Sequence, residues 1–277
     1  MENIIGWGSI GMNPTKVVNN GVQLGDAIEE MAKLPGQIID LTVADPPFNI
    51  DFEYDDYDDK MAPDEYLFWS ESWMRQVYRL TRPHGTFWLC IGDAYVSELD
   101  VLAKRLGWHK RSHVIWYFTF GPNQKKNFVP SHVHLLYYVK NPKRFTFNFK
   151  DVRVPSARQL VYNDKRAKPG GRAPDNTWIL RPQDIEGLTV GENTWYVSRV
   201  CGTFKERIPG AANQMPEEVV ARIIKACSNP DDLVLDPFSG TATTAVVAQK
   251  LGRNYLTYEI SKKWAEIGTK RIMQETD

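Results

Sequence analysis

The sequence predicts an α/β fold, a doubly wound sheet with helices on both faces, split by one irregular insertion. Three observations lead there. Strand-like and helix-like segments alternate from about residue 38 to residue 106. The same alternation returns after residue 216, and between the two lies a stretch whose periodicity dissolves among prolines and glycines.

Taken in order, Ile38 to Ala44 is an apolar, β-branched run of strand length that ends at Pro46-Pro47. Asp64 to Arg79 carries Leu67, Phe68, Met74, Val77 and Tyr78 at helical spacing, and Pro83 and Gly85 stop it. Thr86 to Ile91 reads as a buried strand and Ala94 to Leu106 as a helix closed by Gly107. Ser112 to Phe118 and His132 to Val139 are strands with no helix between them, which predicts a mixed sheet with an antiparallel hairpin at one edge. From 150 to 209 the residues Pro155, Pro169, Gly170, Gly171, Pro174 and Pro182 break every pattern. Order resumes at Pro216, with Glu217 and Glu218 in a first turn and Val219, Val220, Ile223, Ile224 and Cys227 on one face. Leu233 to Leu235, Thr243 to Leu251 (stopped by Gly252) and Tyr255 to Glu259 then read as strand, helix and strand, and Ser261 opens a last helix. The chain divides accordingly into a first half of the main domain, 1–149, an insertion, 150–209, and a second half, 210–277.

Hydrophobic and charged fractions of 42% and 25% are those of a globular protein. No apolar run approaches the roughly 20 residues a membrane helix needs. Met1 to Ile10 lacks the layout of a signal peptide, so a cytoplasmic, nucleoid-associated protein is expected. Cys90, Cys201 and Cys227 have no metal-ligand spacing and read as reduced core thiols. The net charge of zero hides an asymmetry: Lys104 to Pro182 holds 17 Lys and Arg against three acids, a net of +14, and the remainder therefore carries −14. So basic a segment in a neutral protein suits a phosphate-binding face. Lys125, Lys126, Lys165, Arg166, Lys168 and Arg172 are the candidate contacts to nucleic acid.

Two turns follow predicted strands, where ligands bind in doubly wound sheets. After Leu235 the chain runs through Asp236-Pro237-Phe238-Ser239-Gly240-Thr241 into a helix. There Gly240 permits close backbone approach, and Thr241, Thr243 and Thr244 bring hydroxyls to a helix N-terminus. Glu259 ends the next strand, where a carboxylate can accept from ribose hydroxyls. The other turn, Asp45-Pro46-Pro47-Phe48, sets a carboxylate beside a backbone carbonyl and an aromatic ring. The two acceptors can take both N–H bonds of an aromatic amine, let its nitrogen pyramidalise and free its lone pair to attack a methyl group. Prolines fix the direction of the acceptors, and the ring offers a stacking face for a base drawn out of a helix.

Together the two segments resemble the signature of amino-methylating DNA methyltransferases, a Ser/Asn/Asp-Pro-Pro-aromatic tetrapeptide and a Phe-x-Gly-x-Gly loop. The tetrapeptide precedes the loop with the basic insertion between them, the order of the permuted β group of that family. The similarity spans roughly Val22 to Arg271. It implies a Rossmann-like S-adenosylmethionine-dependent methyltransferase fold whose 1–149 half is catalytic, whose 210–277 half binds cofactor and whose insertion recognises the target. Asp45, Pro46, Pro47 and Phe48 match the catalytic positions. Asp26 after Gly25 matches the residue at the cofactor adenine, and Gln214 lies in the segment against its methionine end. Asp45, Asp236, Phe238, Gly240, Thr241, Thr243 and Glu259 complete the implied cofactor site. The resemblance implies double-stranded DNA as partner and is compatible with a homodimer and with a cognate restriction enzyme.

The resemblance has departures. Ala242 stands where a second loop glycine is usual, and Met215 stands where a lysine is. Within the family an Asp-initiated tetrapeptide favours adenine N6 over cytosine N4. No Pro-Cys pair supports C5-cytosine chemistry. The alternatives are an RNA or protein amino-methyltransferase and an inactive DNA-binding relative. His109, His113, His132 and His134 lack a cysteine or paired carboxylate, so no metal is expected. Asp51 to Asp59 reads as a mobile, solvated loop. Trp116, Tyr117, Phe118 and Phe120 read as packing with a share in a base pocket.

Overall fold

The computed structural model describes residues 21–275 except 53–56, 58, 119–124, 127, 157, 159–161, 168–169, 178–199, 201–204 and 212. Its strands are β1 (Gln23–Leu24), β2 (Ile39–Ala44), β3 (Thr81–Ile91), β4 (His109–Tyr117), β5 (His132–Val139), β6 (Leu233–Asp236) and β7 (Asn254–Glu259). Its helices are α1 (Ala27–Ala32), α2 (Pro63–Leu80), α3 (Val96–Arg105), α4 (Phe149–Val152), α5 (Glu217–Cys227), α6 (Thr243–Lys250) and α7 (Lys262–Gln274).

The strands form one seven-stranded sheet in the order β1-β7-β6-β2-β3-β5-β4. Pairs from β1 to β3 are parallel, and β3–β5 and β5–β4 are antiparallel. The doubly wound mixed sheet and its edge hairpin are therefore as the sequence predicts. Differences appear at β3 and β1. β3 begins at Thr81, not Thr86, and passes through Pro83 and Gly85, whose added Cβ would fall 2.9 Å from the Asp40 carbonyl of the neighbouring strand. The two-residue β1 is too short to leave a periodic signal.

Both sheet faces are buried, so strands alternate between two cores instead of between core and water. Leu135, Tyr137 and Val139 of β5 face α5, α6 and α7, while Leu136 and Tyr138 face α1, α2 and α3. A register shift between Ile39 and Leu41 puts these two β2 residues in opposite cores. The helix of 63–80 buries Tyr66, Trp73, Met74, Val77 and Leu80, and truncating Trp73, fully buried, is of the class that costs about 3–5 kcal/mol. Asp40, also buried, accepts from Arg82 at 2.8 and 3.0 Å, from His84 at 3.0 Å and from the Leu233 amide at 3.0 Å. That last bond ties the start of β2 to the start of β6 and so aligns the two strands that carry the predicted motifs.

Among the described residues of 150–209, regular structure comprises the end of α4, one helical residue at Arg158 and a bridge between Val154 and Arg172. Asn176 runs along the outer edge of β4, accepting from the Ile115 amide at 2.8 Å and donating to the His113 carbonyl at 3.1 Å, which covers an exposed sheet edge. Cys90 and Cys227 are buried free thiols, the latter accepting from the Trp88 indole at 3.3 Å; Cys201 and Phe120 lie outside the described residues. Among the described residues no helix is long and apolar enough to cross a membrane.

Candidate active site

The sheet order reverses direction between β2 and β6, whose registers pair Leu41 with Val234 and Thr42 with Leu235. The turns that follow these strands therefore open side by side at the carboxyl edge, the switch point where such sheets bind ligands. A cavity of about 800 Å³ lies there, lined by Asp45–Phe48 on one side and Asp236–Thr241 on the other.

The turn after β2 is rigid everywhere except at its carboxylate. Tyr66, buried in α2, donates to the Pro47 carbonyl at 2.8 Å. The Phe48 ring packs tightly on Gly92: a Cβ there would meet it at 3.0 Å, so a larger residue would require the ring to shift. Asn49, at φ +56°, brackets Met61 with bonds of 2.7 and 3.0 Å. Asp45 itself is half-buried, and among the described residues nothing donates a hydrogen bond to its side chain. Its carboxyl is pushed up to about 8, first by loss of water around it and second by the negative Asp236.

In the acidic stretch after this turn, residues 53–56 and 58 lie outside the described residues, and Asp59 departs from the solvated loop that composition suggests. Asp59 is buried, and its carboxylate accepts from the amides of Asn49, Ile50 and Phe52 at 2.7, 3.0 and 3.2 Å. Acidic residues here close the loop by binding backbone donors, which hydropathy alone cannot reveal.

The turn after β6 is built by carboxylates already in use. Asp236 is buried, accepts from the Phe238 amide at 3.0 Å and from the Thr244 hydroxyl, and is pushed up to about 6, mainly by burial. Glu259 accepts from the Gly240 amide at 2.8 Å and from the Ser261 amide at 2.9 Å. Phe238 packs edge-on against Trp73, with centroids 5.2 Å apart. Asp26 caps α1, accepting from the Ile28 and Glu29 amides at 2.8 and 3.1 Å, and its neighbour Gly25 donates to the Glu259 carbonyl. Thr241 and Thr243 line the cavity, and buried Arg271 supports them from behind, donating to the Thr241 carbonyl and the Thr243 hydroxyl at 3.0 Å each. Gln214 also lines it, but its amide is spent on the Ile208 amide (2.9 Å) and the Glu206 carbonyl (2.6 Å), which fixes the 206–214 loop.

Ala242 adopts φ +62°, the left-handed conformation, so this position does require positive φ although it is not glycine. The strain of roughly 1 kcal/mol is accompanied by a glycine on the facing helix. Gly268 of α7 lies opposite, and a Cβ there would fall 3.0 Å from that of Ala242. The glycine missing from the loop is matched by one on the helix.

Among the described residues, none of the basic candidates lines this cavity. Lys125, Lys126 and Lys165 are exposed; Arg166 and Arg158 share Asp164, and Arg172 pairs with Asp175. Lys168 lies outside the described residues. Lys104 and Lys110 pair with Asp100 at 2.7 and 2.6 Å, while Lys140 donates to the Tyr78 and Thr81 carbonyls. The net of +14 already subtracts Asp164 and Asp175; Asp100, outside the segment, offsets further charge at Lys104 and Lys110.

The histidines were read from sequence without a carboxylate, and the structure corrects this. Asp93, just after β3, accepts from His134 at 2.7 Å and from His132 at 3.2 Å, and His134 meets His113 at 2.7 Å. Asp93, His132 and His134 hold their ligand atoms within 4.8 Å of one another. Their hydrogen bonds already satisfy one another, and Asp93 and His132 form part of the cavity rim beyond Phe48. Trp69, Tyr57 and Trp116 also line the cavity; only the last was marked by the sequence, since helical spacing does not show which aromatic faces a ligand.

Comparison with known proteins adds family to geometry. The model of a DNA methylase family, N6_N4_Mtase, matches residues 39–270. The chain is 33% identical over 251 residues to Type II methyltransferase M.HpaI of Haemophilus parainfluenzae, covering 90% of this chain and 73% of that protein. It is 29% identical over 269 residues to DNA adenine methyltransferase YhdJ of Escherichia coli, covering 95% and 86%. The solved cytosine-N4-specific PvuII DNA methyltransferase shares the fold, with a TM-score of 0.62 at 16% identity over 91% of this chain and 89% of that one.

Proposed function

The chain belongs to the N6/N4 DNA methylase family, and from that premise we propose that it methylates the N6 amino group of adenine at a specific site in double-stranded DNA, with Asp45 as acceptor of the amine. The observation that carries this reading is a half-buried carboxylate with no hydrogen-bond donor to it among the described residues, beside the Pro46 carbonyl and the Phe48 ring.

As a member, the protein is an S-adenosylmethionine-dependent DNA amino-methyltransferase. The cavity fits that cofactor. The hydroxyls of Ser239 and Ser261 are buried in its lining without a protein partner, and Asp45 and Asp236 crowd together with no basic partner for either. A ligand with polar edges and a positive centre supplies what both lack. Bound there, S-adenosylmethionine supplies an electrophilic methyl group on a sulfonium. Asp236, Phe238, Gly240, Thr241, Thr243 and Glu259 would hold it, with Asp26 at one end and the Gln214 segment at the other.

The chain's own residues do the rest. Phe48, clamped on Gly92, gives the flipped base a fixed face. Asp45 and the Pro46 carbonyl accept the two N–H bonds of the amine, so its lone pair is no longer tied to the ring. The Tyr66 bond to Pro47 holds the second carbonyl of the turn and fixes the orientation of the first. Once the new N–C bond forms, the nitrogen carries a surplus proton, and Asp45 is the group placed to take it. Its raised pKa makes it a better base than an exposed aspartate. In this reading 1–149 is the catalytic half, 210–277 the cofactor half, and 150–209, with exposed Arg153 and Lys165, recognises the target.

Adenine is favoured by the aspartate that opens the tetrapeptide. Mass spectrometry of nucleosides from host DNA exposed to the enzyme is the test, with single-molecule sequencing to map the site. N6-methyladenine at one sequence is the expected product; N4-methylcytosine in its place would overturn the choice of base.

A further inference from the structure

β5 runs antiparallel to β3, so the connection from β4 to β5 emerges at the same sheet edge as the turn after β2. The Phe118 amide closes the hairpin on the Ser131 carbonyl at 2.8 Å, and Phe118, Pro130 and His132 line the cavity. The described residues beyond that closure therefore stand at the mouth through which a base must enter.

Phe128 is one of them. Its side chain is 93% exposed, the most exposed large hydrophobic residue among those described. Lys125 and Lys126 beside it are exposed and carry no ion pair among the described residues, unlike Arg158, Arg166 and Arg172. A large ring so exposed presents an apolar face that a stack of bases can cover. Two adjacent free cations make duplex DNA the partner whose chemistry fits.

Extraction of a base leaves a gap in the stack, and an apolar side chain that enters the gap offsets part of the cost of unstacking. We propose that Phe128 is the wedge that fills the duplex when the target base swings into the cavity, with Lys125 and Lys126 gripping the flanking phosphates. The proposal rests on the DNA methyltransferase reading but not on which base is methylated, because a gap opens in either case.

Phe128→Ala is tested against wild type on two short duplexes bearing the mapped site, one fully paired and one with a mismatch opposite the target base. On the paired duplex kcat should fall ~10- to 100-fold. On the mismatched duplex, where the base is already loosened, the deficit should shrink to within about threefold. Phe128→Leu should lie between the two, and cofactor affinity should not move. With 2-aminopurine at the target position, the fluorescence rise on binding should be weaker for Phe128→Ala than for wild type. Equal losses on both duplexes, or no loss on the paired one, would overturn the wedge. Product base and cofactor binding are read separately, so failure of the wedge leaves the methyltransferase assignment standing.

Discussion

The two turns at the carboxyl edge are made of similar residues and are held in opposite ways. After β6, each carboxylate has its work inside the protein: Glu259 ties Gly240 to Ser261, Asp236 holds Phe238, and Asp26 caps α1. After β2, the surroundings of Asp45 are fixed through Tyr66, Gly92 and Asn49, while the carboxylate itself is left bare. Unmet hydrogen-bonding capacity in a buried group costs stability. On the proposed reading, the difference separates the carboxylate open to the reacting amine from those that shape a binding wall.

That contrast is broken first by Asp45→Ala. Removal of an acceptor used by the reacting nitrogen should lower kcat by a factor on the order of 10²–10⁴. Since nothing in the fold depends on that side chain, thermal stability should hold or rise, and calorimetric affinity for S-adenosylmethionine should stay within about threefold. A folded variant that loses cofactor binding instead would place Asp45 on the cofactor side of the divide.

Glu259→Ala should do the reverse. It removes an acceptor from two loop amides, so unfolding free energy should fall by about 1–3 kcal/mol. The same change should raise the cofactor KM by ~10- to 100-fold, with a smaller effect on kcat. A stable variant with unchanged KM would mean the wall after β6 needs no such tie.

Much of this arrangement is legible in the sequence, and what is not has physical reasons. The two motifs follow predictable strands because a doubly buried sheet writes apolar runs and breaks them with proline and glycine; Ile38–Ala44 and Leu233–Leu235 are such runs. Spacing cannot show that Asp93 folds under His132 and His134, since those groups lie about 40 residues apart along the chain. The same limit hid Asp59, whose burial follows from three amides aimed at it, and Arg271, whose partners Thr241 and Glu217 come from two other elements. Charge counting along Lys104 to Pro182 failed in another way. It stops at the ends of the segment, whereas Asp100, just outside it, pairs with Lys104 and Lys110. At Ala242 the sequence raised the right question, whether positive φ is required, but the room that Gly268 leaves for its methyl group is visible only across the helix interface.

The bare carboxylate has a consequence in pH. An aspartate raised from its ordinary value near 4 to about 8 takes up a proton on folding between those values. The folded state then binds more protons than the unfolded one, so stability contributed at this position declines as pH rises from about 4 and levels off above about 8. The measurement that tests the account most directly is a pH titration of the Asp45 carboxyl by carbon-13 NMR, assigned with Asp45→Asn. The cofactor-free protein should show a midpoint near 8, displaced downward in Asp236→Asn, which removes the neighbouring charge. A midpoint near 4, unmoved by Asp236→Asn, would mean that Asp45 is neither crowded nor held in reserve for an amine.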